Sequence, residues 1–279
     1  NKTVMKAYPF FSAAEQEGRN IHFGIREHAM GCIVNGLTLH GGLTAFGATF
    51  LVFADFFRPA VRMAALMGIG SIFALTHDSV CVGEDGPTHQ PIEQAMSLRM
   101  IPNVSVFRPA DALETAVAWK SAVENKKQPT CLLLTRQKLP VLKAYAKVVL
   151  KGASKGGYVL SPAAGKPQAI LLATGSEVSL ALAAQKALAD RKIDVAVVSM
   201  PSWDKFDKQS KAYQASVLPK DVTRIAIEAG ITLGWSKYTG SEDRVIGINR
   251  FGASGPGSVV YEKLGFTVKH IMQVIKKLK

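Results

Sequence analysis

Cysteine is scarce in this 279-residue sequence: Cys32, Cys81 and Cys131 are widely spaced and form no Cys-x-x-Cys pair. That excludes a disulfide framework and the usual zinc-ligand spacings, and it suits a reducing cytoplasm. No apolar run is long enough to span a bilayer, and the polar start Asn1-Lys2-Thr3 leads into no signal-peptide core, so no membrane association is expected. The absence of an initiator methionine predicts a piece of something longer or a processed product. Acidic residues are also few. Residues 1–140 carry 13 basic and 11 acidic side chains, whereas residues 141–279 carry 21 basic and 10 acidic, and the whole chain has a net charge of +13. Such an excess attracts nucleic acid or phosphorylated metabolites. The lysines are nonetheless scattered and not interleaved with aromatics, so they read as a solvated surface with no nucleic-acid partner.

What is present is an ordinary globular composition, 48% hydrophobic and 20% charged, with length enough for two domains. Ala29, Met30, Ile33, Val34 and Leu37 fall at helical spacing, predicting a helix over about 26–40 that stops at Gly41-Gly42. Residues 49–67 are also helical in pattern, with Pro59 marking a break between two helices. Strands are expected at 72–76, 104–107 and 130–134, with a helix from near Pro91 and another N-capped by Asp111. Residues 137–157 lose the period and read as the linker region. Beyond it come strands at 169–173, 195–199 and 224–228, a Thr174-x-x-Glu177 capping box for a helix to Leu188, and a basic C-terminal helix. Alternating strands and helices predict an α/β protein of two parallel-sheet sandwich domains, 1–140 and 157–279, joined by a linker at 141–156.

Three groups of residues could carry chemistry. The loop from His77 to Pro91 gathers His77, Asp78, Glu84, Asp85 and His89 after a buried strand, where open α/β sheets place their ligands. Its spacing matches no common zinc site, so no metal is assigned to it. His77 and Arg136 each follow a predicted strand, so adjacent parallel strands could bring them together, and that pair would suit a phosphate; His89 and Arg108 are grouped with them as candidates. Glu27 sits in a first helical turn. It is either an ordinary dipole-favoured carboxylate, or a carboxyl buried beside Phe50 and Phe53 with a raised pKa that shares a proton with a cofactor's ring nitrogen. Phe46, Phe50, Phe53, Phe56 and Phe57 are either core packing or a wall for a flat heterocycle.

Taken together, Gly24-Ile25-Arg26-Glu27-His28, Leu39-His40-Gly41-Gly42, residues 61–67, Thr76-His77-Asp78-Ser79, Gly83 to Pro91, Arg108-Pro109-Ala110-Asp111, Leu134-Thr135-Arg136-Gln137 and residues 172–177 resemble transketolase. The resemblance covers only the pyrimidine-binding and C-terminal domains of that family. No Gly-Asp-Gly with a following Asn at the family's spacing is present, so the resemblance implies that the domain binding diphosphate and the Mg²⁺ or Ca²⁺ ion is not in this sequence, which then holds no metal site.

The implied activity is thiamine-diphosphate-dependent transfer of a two-carbon ketol unit from a ketose phosphate to an aldose phosphate, in the pentose phosphate pathway. By resemblance, Glu27 hydrogen-bonds the aminopyrimidine ring nitrogen and Phe50, Phe53 and Phe56 pack around that ring; many relatives have tyrosine where Phe56 stands. His89 contacts the reacting end of the substrate, Asp85 reads a sugar hydroxyl, and His77 with Arg136 holds the phosphate, a site that relatives complete with an Arg and a Ser lying before residue 1. The implied partners are a homodimer through the pyrimidine domain and a separate diphosphate-binding domain or subunit, without which the chain is expected to be inactive. The β subunit of a 2-oxo acid dehydrogenase and a deoxyxylulose-phosphate synthase share the domain order, and a non-catalytic anion-binding module is the alternative outside enzymes.

Overall fold

The computed structural model describes residues 3–277. Up to Arg26 the chain is irregular, with one isolated bridge between Phe10 and Asn20. There follow α1 (Glu27–His40), β1 (Phe46–Phe50), α2 (Ala54–Met67), β2 (Ile72–Thr76), α3 (Gln94–Arg99), β3 (Ser105–Phe107), α4 (Ala112–Glu124) and β4 (Thr130–Leu134). The second half carries α5 (Ala146–Gly152), β5 (Tyr158–Ser161), β6 (Ala169–Ala173), α6 (Glu177–Ala189), β7 (Val195–Ser199), α7 (Trp203–Asp207), α8 (Lys211–Val217), β8 (Thr223–Ile227), α9 (Ser236–Thr239), β9 (Val245–Ile246), α10 (Gly257–Lys263) and α11 (Val268–Lys277).

The first sheet has the order β1-β2-β4-β3 and is wholly parallel; the second has the order β5-β7-β6-β8-β9. In the second sheet only the edge pair β5 with β7 is antiparallel, so the expected parallel α/β architecture holds with one reversed edge strand. Both faces of the central strands are buried, which is why they read as unbroken apolar runs rather than alternating ones. Phe73, Leu75, Cys131 and Leu133 face a core shared with Val34 and Phe57, while Ile72 and Leu132 pack on the other side with Ala118 and Ala122. Val80, Ile92 and Ala110 of the first half are continuous with the core of the second. The two domains are therefore joined by apolar packing as well as by the chain.

Several local expectations need correction. Residues 46–50 form a strand, and α2 runs through Pro59 unbroken; Pro59 lies on the exposed side of the helix, where losing one backbone donor is tolerated. The phenylalanines thus lie along a strand, a 3₁₀ turn at Leu51–Phe53 and a helix, not on one helical face. α3 starts at Gln94, three residues later than Pro91 suggests. The stretch expected as linker is largely helical, with Val149 buried. Asp111 caps α4 as expected, accepting from the Glu114 N–H at 2.9 Å. The Thr174–Glu177 capping box does not form: Thr174 donates to the Arg108 carbonyl instead, and Glu177 has another use.

Candidate active site

The strands of the first sheet are parallel and in register, Phe50 opposite Thr76 and Thr76 opposite Leu134. Their carboxyl ends therefore release Phe50, His77 and the segment leading to Arg136 at one edge, where open α/β sheets bind ligands. The His77 imidazole stacks on Phe50, with ring centroids 3.6 Å apart and planes 17° from parallel. Phe53 lies 5.9 Å from Phe50 and 5.5 Å from His89, and Phe56 lies 6.1 Å from Phe53. Five of the eight residues to which the resemblance gives a role thus form one contiguous cluster. Within it, Phe56 is 64% exposed and is not core; Phe57, next to it, is the residue that is fully buried. Each histidine also meets a neighbouring hydroxyl, His77 Nδ1 with Thr76 Oγ1 at 2.8 Å and His89 Nδ1 with Thr88 Oγ1 at 2.9 Å.

Glu27 stands slightly apart. It is half-buried in the first turn of α1, in a cavity of about 230 Å³ lined also by Ile21, Phe23, Met30, Ala48 and Thr49. Thr49 directly precedes Phe50, so the cavity opens one residue along β1 from the aromatic cluster, while Phe50 and Phe53 themselves do not line it. Asp85 and Arg136 are both exposed. The loop between the two histidines is anchored from beneath. The buried Gln90 amide donates to the carbonyls of Gly83 and Ala253, each at 3.0 Å, and the Ser254 hydroxyl donates to the Glu84 carbonyl at 2.6 Å. Two of those four partners belong to the second domain.

Arg108 does not join the phosphate set. It is 1% exposed and sits between the domains, donating from Nε to Asp78 Oδ2 at 2.8 Å, from Nη1 to the Thr174 carbonyl at 3.1 Å, and from Nη1 to Glu177. Glu228 lies 3.5 Å from the same Nη1 and is held chiefly by a bidentate Arg99, at 2.7 and 2.8 Å, and by the Trp235 indole N–H at 2.7 Å. Three carboxylates share two guanidinium groups in a site closed to water. Burial works to raise the Glu228 pKa, but Arg99 and Arg108 outweigh it and hold that carboxyl below its usual range. Arg108 is bound by Glu177 first and Asp78 second, strongly enough to overcome its own desolvation. Asp78 is the surplus anion: burial, incompletely offset by Arg108 and reinforced by Glu177, pushes its pKa up from 3.8 to about 6.

A group whose pKa is higher folded than unfolded stabilises the fold below its unfolded value, and that contribution is lost as pH rises through the folded value. For Asp78 the window is pH 3.8 to about 6. The Asp78→Asn variant lacks this titration, so its stability relative to the wild type should rise by about 3 kcal/mol between pH 4 and 7. Urea midpoints of the two proteins across that range measure it, and a constant difference would contradict the assignment.

Comparison with known proteins fits this geometry. A model of the transketolase pyrimidine-binding domain matches residues 1–141, and one of the transketolase-like C-terminal domain matches residues 156–267. The chain belongs to the transketolase family. It is 55% identical over 280 residues to a transketolase of Geobacillus stearothermophilus and 53% identical to one of Bacillus subtilis, matching 100% of this chain and 42% of each relative. A crystal structure of Pichia stipitis transketolase in complex with sedoheptulose 7-phosphate superposes with a TM-score of 0.93 at 44% identity, over 99% of this chain and 41% of that one. A split-gene transketolase described as an inactive β4 tetramer shares the fold, with a TM-score of 0.75 at 24% identity over 95% of this chain and 85% of its own. The chain therefore spans less than half the length of the curated relatives it matches.

Sequence reasoning left Asp78 without a role and placed Glu177 in a helix cap. The available signal was their type: Arg108 before Pro109, Asp78 after a strand and Glu177 at a helix start are each unremarkable alone, and their partners lie 30 and 69 residues away.

Proposed function

We propose that this chain supplies the pyrimidine-binding and C-terminal domains of a working transketolase, which moves a two-carbon ketol unit from a ketose phosphate to an aldose phosphate. The observation that carries the reading is the cluster of Phe50, Phe53, Phe56, His77 and His89 at the carboxyl edge of a parallel sheet, beside the half-buried Glu27. The residues present fit thiamine diphosphate in kind: aromatic faces left partly open suit a flat aminopyrimidine, and a carboxyl in an adjoining cavity suits a ring nitrogen. When bound, that cofactor supplies a nucleophilic carbon and an electron sink.

This chain's own part is binding and proton placement. Glu27 would hold a proton between its carboxyl and the ring nitrogen, Phe50, Phe53 and Phe56 would exclude water from the ring faces, and His89 would donate to the substrate's reacting oxygen. Asp85 would accept from a sugar hydroxyl, and His77 with Arg136 would donate to the phosphate. The diphosphate and its Mg²⁺ or Ca²⁺ would be held by a further domain or subunit. α1 and α2 leave Ile33, Met63 and Leu66 exposed, an apolar face that supports pairing of two copies through the first domain.

The test is reconstitution. The chain, combined with the diphosphate-binding domain of one of its bacterial relatives, thiamine diphosphate and Mg²⁺, should convert xylulose 5-phosphate and ribose 5-phosphate to sedoheptulose 7-phosphate. Either component alone should be inactive. A confirmed complex that stays inactive would remove the reading, and turnover driven better by pyruvate than by ketose phosphates would replace it with that of the related oxo-acid enzymes.

A further inference from the structure

His77 adopts φ = 63°, a left-handed conformation that side chains with a Cβ rarely take and that must be held by its surroundings. The conformation turns the chain so that the imidazole lies on Phe50 at the open edge of the sheet, while the next residue, Asp78, is directed inward and is 3% exposed. One side of this turn is thus fixed by ring stacking and the other by the Asp78 carboxylate. The carboxylate is fixed in turn by Arg108, and most of what fixes Arg108 belongs to the second domain. Its N–H donates to the Pro201 carbonyl at 2.8 Å, its own carbonyl accepts from the Gly175 N–H and the Thr174 hydroxyl, each at 3.0 Å, and its guanidinium reaches Glu177. A Cβ at Gly175 would come within 2.8 Å of the Arg108 Cζ, so this approach is built into the second domain's backbone. Glu177 is itself braced by the Ala229 N–H at 2.9 Å and the Tyr261 hydroxyl at 2.6 Å.

We propose that Asp78 and Arg108 are positioning residues through which the C-terminal domain, gripping Arg108 at Glu177, sets the His77 imidazole where it receives the substrate's phosphate. The phosphate part rests on the reading of His77 given above; the positioning part does not. The C-terminal domain then has a definite task in the reaction, to hold one donor of a site to which, on this chain, the first domain alone contributes ligands. Neither Asp78 nor Arg108 touches substrate in this scheme.

Two measurements on Asp78→Asn and Glu177→Gln test it. The sequence has six histidines, so ¹³C-histidine labelling gives a sparse NMR spectrum, in which His77 is assigned by its loss in His77→Gln. Its ring protons should be shifted upfield by Phe50 in the wild-type chain. They should move towards the values of an unstacked histidine in both variants, while the remote His270 signal stays in place and reports an intact fold. In the reconstituted enzyme, both variants should raise KM for xylulose 5-phosphate about tenfold. KM for unphosphorylated xylulose and kcat should stay within twofold. An unmoved His77 signal in either variant, or equal losses on both donors, overturns the positioning role. A wild-type enzyme indifferent to the donor's phosphate would instead remove His77 as phosphate ligand, while the NMR result still decides whether Asp78 and Glu177 place it.

Discussion

Arg108→Met should lower the unfolding free energy by about 3–5 kcal/mol, the cost expected when a buried ion-pair network loses its central cation. The reason is what remains behind. Methionine fills a similar volume, so the packing loss is small, but Asp78 and Glu177 lose the one cation that pairs with them among the described residues while staying buried. Glu228 keeps Arg99 and suffers less. Two uncompensated carboxylates in a dry site take up protons where they can, so the penalty should be smaller at pH 5 than at pH 8. Urea denaturation at the two pH values measures both the size and the sign. The exposed pair Lys120–Glu124 provides the contrast: Lys120→Ala removes an ion pair of the same nominal type, yet screening by water should keep its cost below about 1 kcal/mol. Comparable losses in the two variants would mean that Arg108 is not the counter-charge that Asp78 and Glu177 depend on.

The same residue shows where sequence reading works and where it stops. The strands at 72–76, 130–134, 169–173 and 195–199 are legible because burial on both faces leaves an unbroken apolar run bounded by polar residues. The strand Phe46-Gly47-Ala48-Thr49-Phe50 is not, because small residues dilute the run and the phenylalanines that follow continue a helical spacing. Its Gly47 is small for a tertiary reason: a Cβ there would lie 3.2 Å from Val34 Cγ2 and 3.3 Å from Met30, both on α1. The meeting of His77 with Arg136's strand follows from parallel order, but the order β1-β2-β4-β3 puts β4, not β3, beside β2, and only the assembled sheet shows it. Arg108 looks from sequence like one more strand-end arginine fit for phosphate. Its burial depends on Asp78, Glu177 and Thr174 arriving from other elements, and no local spacing encodes that. The residue types of the proposed site could be picked out in the sequence, while the burial of Asp78, Arg108 and Glu177 between the domains could not.

Glu27→Ala should separate chemistry from stability more sharply than any other substitution. Glu27 is half-buried in the first turn of α1, so removing its carboxylate forfeits the favourable interaction with the helix N-terminus, worth about 0.3–1 kcal/mol, and leaves the core untouched. In the reconstituted enzyme the same change should cut turnover by about 10²–10⁴-fold, the range expected when a proton-placing carboxyl is lost. Excess thiamine diphosphate should not restore the rate, because the defect lies in the bound state rather than in occupancy. Substrate KM should change little, since His77, Asp85, His89 and Arg136 remain. A comparable fall in Phe50→Ala would have a different signature: Phe50 stacks His77 and, in the proposed role, also covers the ring, so weaker phosphate recognition should accompany slower turnover there. Turnover in Glu27→Ala equal to that of the wild type would show that the cavity beside β1 holds no reacting ring, and the proposed role of this carboxyl would have to be given up.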